Sequence, residues 1–150
     1  MRPSNRWTDD EGSAALEFVT AGLVLLLPLV YLVLAMASIQ AGALAIEGAA
    51  RQAARVFVQS GSLAEAQASA ATAVEFALAD HGVDPNTVRV EVACSPRPTQ
   101  CLSRRGLVTV TIEIAVPLPL VPPILVGDFP LVVPLQASAT QQVSRFWGAG

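Results

Sequence analysis

From Phe18 to Ile46 no position carries a charge, and the part from Phe18 to Ile39 is dense in leucine and valine. As a helix rising 1.5 Å per residue, that part spans about 33 Å, enough to cross a hydrocarbon core of roughly 30 Å. Pro28 sits inside it. Membrane helices tolerate such a proline as a kink, whereas the interior of a soluble helix does not. A buried helix of a soluble protein is the alternative reading. Beyond Ile39 the helical habit continues. Ala43, Ile46, Ala50, Ala53 and Phe57 recur at spacings of three and four, and Glu47, Arg51 and Arg55 share another face. The spacing predicts an amphipathic continuation of the same helix to Ser60, ended by Gly61. Ser62-Leu63-Ala64-Glu65 reads as a capping box that opens a second, alanine-rich helix over 62–80, closed by Gly82 and Pro85.

After Pro85 the period changes to two. Val88, Val90 and Val92 alternate with Thr87, Arg89 and Glu91; Val108 to Val116 alternate with Thr109, Thr111 and Glu113; Leu131 to Ala139 alternate with Val132, Pro134, Gln136 and Ser138. This predicts three strands, each with one buried face, at about 86–93, 106–116 and 131–143. A three-stranded antiparallel sheet needs a cover, which the amphipathic part of the long helix and the second helix can supply. The fold class is therefore α+β. Between the second and third strands runs an apolar stretch in which Pro117, Pro119, Pro122, Pro123 and Pro130 forbid a regular helix, and Asp128 would be costly in lipid. It reads as an extended loop over 117–134. Its role is either packing over the sheet edge or an apolar contact surface for a partner or the outer face of the membrane.

Composition agrees with a membrane segment. Hydrophobic residues make up 53% of the chain and charged residues 14%, against about 25% charged in a typical soluble domain. The net charge is −3, with no basic run, so the clustered positive face of a nucleic-acid-binding protein is missing. All nine positive residues are arginine, a bias read as genomic base composition. The arginines at 2, 6, 51 and 55 flank both ends of the apolar run, and give only a weak orientation preference. A short N-terminus and a long polar remainder favour a cytoplasmic N-terminus with the head outside.

Catalytic motifs are missing: no G-x-S-x-G, no phosphate loop and no paired His-Glu motif occurs. His81 is the sole histidine, and with Asp80 and Asp84 it reads as part of a solvated turn, not a metal set. The chain is therefore expected to be no enzyme and to hold no metal or cofactor. Cys94 and Cys101 flank Ser-Pro-Arg-Pro-Thr-Gln at the tip of the first hairpin, with no further cysteine to complete a zinc site. An exported head predicts a disulfide between them; two free thiols would fit a cytosolic head.

The stretch Glu11-Gly12-Ser13-Ala14-Ala15-Leu16-Glu17-Phe18, leading straight into the apolar helix, resembles the processing site of type IV prepilins. With its short acidic leader, its small residues after Gly12 and its Ala-Leu-Glu-Phe run, the chain looks most like the TadE family. These are minor pilins or pseudopilins of tight-adherence (Flp-type) pili. The order long helix, second helix, small sheet and a final strand running into Ser-Arg-Phe-Trp agrees with that layout. Two departures stand out: type IV leaders are often basic, while this one carries Asp9, Asp10 and Glu11, and the chain is longer than a major Flp pilin.

The resemblance implies a cytoplasmic leader over 1–12 removed by a prepilin peptidase between Gly12 and Ser13. It implies a helix over 13–60, membrane-spanning at about 18–39, and a head over 61–150 outside the inner or cytoplasmic membrane, or in a surface pilus. Glu17, beside Phe18, would meet the new amine of a neighbouring subunit. The partners implied are other pilin subunits, the assembly platform, the secretion ATPase complex and membrane lipid. Two rivals stand beside this reading. Ala35-Met36-Ala37 resembles a signal-peptidase site, which would release a soluble binding protein starting at Ser38. The other is a membrane-anchored protein of unrelated function, an enzyme included.

Overall fold

The apolar run and its amphipathic continuation form one helix, α1 (Asp10–Gln59), of 50 residues. At 1.5 Å per residue it is about 75 Å long, and it passes through Pro28 without interruption. The computed structural model describes residues 10–81, 83, 87–121 and 131–148. At the end of α1 the Ser60 hydroxyl donates to the Val56 carbonyl at 2.9 Å, satisfying one of the carbonyls a helix end leaves over. The second helix, α2 (Leu63–Ala79), starts as the capping box predicts. The Glu65 amide donates to the Ser62 hydroxyl at 3.3 Å, and the Glu65 carboxylate accepts from the Gly61 amide at 3.0 Å. The glutamate thus reaches one residue further back than the usual cap amide. Gly82, Asp84 and Pro85, and Pro122, Pro123, Asp128 and Pro130 of the loop, lie outside the described residues, as does Asp9.

Three strands follow: β1 (Arg89–Ser95), β2 (Leu107–Pro117) and β3 (Val132–Gln142). They form an antiparallel sheet in the order β1-β2-β3, with Val110 between Val92 and Ala139. The long apolar helix, the second helix and the small sheet make the α+β layout that the sequence predicts. α1 lies over β2 and β3 and packs along α2. In β2, Val108, Val110, Ile112, Ile114 and Val116 are all buried. A helix about 10 Å across covers two strands spaced about 4.8 Å apart better than three. So β1 receives less cover than its alternation predicts. Val90 and Val92 share a face with Ile112 and Val110 but stay 43% and 37% exposed.

On α1 the burial is broader than one stripe. Ile46, Ala50, Ala53 and Phe57 are buried as the spacing predicts, and so are Ala45, Ala49 and Ala54. A helix wedged between a second helix and a sheet needs two adjoining apolar faces, and alanine lets both approach closely. Glu47 and Arg51 pair at 2.7 Å on the exposed side, an i,i+4 contact worth about 0.3–0.5 kcal/mol.

Gly42 marks a close approach of α1 to the sheet. A Cβ there would lie 2.7 Å from Val116 Cγ2 and 3.3 Å from Leu135 Cδ1. Gly42→Leu is expected to destabilise the head by about 1–3 kcal/mol through overpacking. Gly42→Ala should cost less than leucine, because its single Cβ displaces only the nearest atoms of Val116 and Leu135 and alanine regains about 1 kcal/mol of helix propensity. Thermal unfolding of the detergent-solubilised chain, followed by near-ultraviolet circular dichroism, checks the ordering. Equal midpoints for the leucine variant and wild type would remove the close approach as a constraint.

Candidate functional site

The candidate processing and assembly residues all sit at the start of α1. The backbone of Gly12 and Ser13 is helical, within the first turn. Glu17 and Phe18 lie little more than one turn on, both exposed. From Leu16 to Leu34 the large apolar side chains project bare on every side of the helix, Leu25 at 73% and Leu27 at 64% exposed among them. No other part of the described chain covers them. Burying one such side chain is worth about 1.5–3 kcal/mol, so this half of α1 favours an apolar surrounding that the described residues do not provide. It is long and apolar enough to cross a membrane. Glu17 and Ser38 are separated by about 32 Å along the axis, comparable with the roughly 30 Å thickness of a hydrocarbon core.

The other end of α1 is built into the head. At its tip, Trp147 donates its indole N–H to the Ser60 carbonyl at 3.0 Å, and Arg104 donates from Nε to the Trp147 carbonyl at 3.0 Å. The Val143 amide donates to the Gly106 carbonyl at 2.8 Å. These bonds fasten the C-terminal turn to the corner between the two helices and to the β1–β2 loop. Sequence reasoning singled out neither Ser60 nor Trp147 as partners. The one available signal was a tryptophan, whose N–H seeks an acceptor when packed; its partner, 87 residues away, leaves no local trace.

Cys94 and Cys101 are joined by a disulfide at the same tip. They stand about 65 Å, by helix rise, from Glu17, so the two sets of candidate residues act separately. The bond closes a short loop, and Leu102, the residue that follows Cys101, is buried. Replacing both cysteines by alanine is expected to cost about 2–3 kcal/mol by loop-closure entropy. Mass spectrometry of non-reduced peptides should find Cys94 and Cys101 linked. Free thiols, alkylated before lysis, would place the head in a reducing compartment.

Among the described residues no group of three or more His, Cys, Asp and Glu side chains is placed to hold a metal. His81 is exposed in the turn after α2, its amide donating to the Leu78 carbonyl at 3.0 Å. Comparison with family models, with curated proteins and with solved structures finds no match to the chain.

Proposed function

We propose that this protein is a TadE-like minor pilin or pseudopilin, a structural subunit assembled through its N-terminal helix. One observation carries the reading: α1 is a single helix whose first half is bare and apolar and whose second half is the spine of the head's core. A side chain buried at Phe57 and one bare at Leu25 thus belong to one rigid rod. A subunit of this shape can stay in a bilayer, or leave it and bury the same apolar surface against the helices of its neighbours, without refolding the head. The Gly12-Ser13 junction and Glu17 sit where a prepilin peptidase would cut and where the new amine would find its counter-charge. The peptidase, other pilin subunits, the assembly platform and the secretion ATPase complex are the partners of this reading. It orients the leader to the cytoplasm and the head outward, makes the role structural, not enzymatic, and needs no cofactor.

The signal-peptide rival has one feature in its favour. Of the buried hydrophobic residues only Ala35 precedes Ala37, so a chain starting at Ser38 would keep the head's core. N-terminal sequencing of the protein recovered from its native membrane decides between them: Ser13 as first residue supports the pilin reading, and Ser38 overturns it.

A further inference from the structure

The head has a base and a tip. Ser60, Trp147 and the disulfide mark the tip. At the base Ser38 and Gly42 of α1 line one groove of about 580 Å³ with Pro117, Val132 and His81. If the bilayer begins near Phe18, its 30 Å core ends near Ser38 at 1.5 Å per residue. The base of the sheet therefore stands level with the place where α1 leaves the hydrocarbon. Both chain segments that run down to this base are apolar at the surface. Leu120 is 74% exposed and Leu131 49%, with Val132 beside them. The segments are tied together by the Leu118 amide, which donates to the Leu131 carbonyl at 3.2 Å. Leu120 has φ 60°, a left-handed backbone that a leucine rarely adopts.

We propose that this apolar base is a second membrane contact: Leu120 and Leu131 seat in the leaflet on the head's side of the bilayer. The occupant follows from continuity. Val132 of the patch lines the same groove as Ser38, Ala41 and Gly42 of α1, the turns that follow directly on the bare apolar run, and no charged residue occurs over 114–121 or 131–144. A surface of this kind beside a transmembrane helix enters the boundary between headgroups and acyl chains, as interfacial segments do. Two contacts fix what one helix leaves free. A single helix can rotate and tilt in the bilayer, whereas a helix plus a seated base holds the head in one orientation. The inference rests on α1 crossing a bilayer and not on the pilus assignment.

The test places a nitroxide spin label at single cysteines introduced into the full chain, with the Cys94–Cys101 disulfide kept oxidised. The chain is reconstituted at high dilution in phosphatidylcholine vesicles. Leu120→Cys and Leu131→Cys report on the base, Leu25→Cys on the helix, and Gln141→Cys on the exposed far end of β3. Collision rates with oxygen, which concentrates in lipid, are compared with those of a water-soluble nickel chelate. The oxygen-to-nickel ratio should be severalfold higher at 120 and 131 than at 141, and higher still at 25. A lipid-like ratio at 25 with a water-like ratio at 120 and 131 overturns the inference. Shielding of 120 and 131 from both probes also overturns it, since a protein surface then covers the base. A water-like ratio at 25 would instead remove the membrane helix itself, and the second contact with it.

Discussion

A Gly12→Leu chain should accumulate in the membrane at full length, its N-terminus uncut. A peptidase site shaped for glycine has no room for an isobutyl group, so the bond to Ser13 stays out of reach. Insertion should persist, because the substitution lies outside the apolar run over 18–39 and adds no charge. The head should fold as before, since its core begins at Ala45 and Ile46, some fifty ångströms along the same helix by rise. Intact-mass analysis of the membrane-extracted protein reads the outcome. The wild type should lack residues 1–12, and the variant should retain them. A variant trimmed as efficiently as the wild type would move the site away from Gly12. Loss of both proteins from the membrane would point to an insertion defect, which the unchanged apolar run argues against.

Much of the architecture was legible because it rests on local rules. The alternation Val108, Val110, Ile112, Ile114, Val116 places five side chains on one face of a strand, and all five are buried in β2. The Ser62–Glu65 spacing places a hydroxyl and a carboxylate on the free amides of a helix start, and both bonds form. What was not legible depends on which surfaces meet. Val90 and Val92 show the same alternation as β2, yet they lie beside a groove whose other wall is Ala70, Val74 and Leu78 of α2. Their exposure follows from where α1 crosses the sheet, which no residue of β1 encodes. Gly42 is silent in sequence for a similar reason: a glycine in an apolar helix has many uses, and its contact with Val116 lies 74 positions away. The candidate processing residues are the converse case. Gly12, Ser13 and Glu17 are candidates by motif alone, and no local packing rule bears on them, because their proposed partners are other proteins.

Glu17→Ala should leave the protein inserted and processed but largely keep it out of fibres. Removing a carboxylate makes the start of the span more apolar, and the peptidase is expected to depend chiefly on Gly12. Assembly is different. In a bilayer, side chains such as Leu25 and Leu27 would already be among acyl chains, and lipid tails are as apolar as leucine, so moving α1 into a bundle of helices would gain little from the hydrophobic effect. Packing and paired charges must then supply the preference. A carboxylate taken to the centre of a bilayer costs about 2.5–3.5 kcal/mol on insertion scales, and a neighbour's Ser13 amine would offset that cost only in the fibre. Without Glu17 the amine has no counter-charge in its apolar setting. Recovery in sheared fibres, normalised to the processed membrane pool, should fall by about tenfold or more, the equivalent of one lost charge-assisted contact of 1.5–3 kcal/mol. Glu17→Asp should lose less, limited by its shorter reach. Equal recovery of Glu17→Ala and wild type would reduce the residue to a marker of the membrane boundary and withdraw the charge pairing from the assembly mechanism.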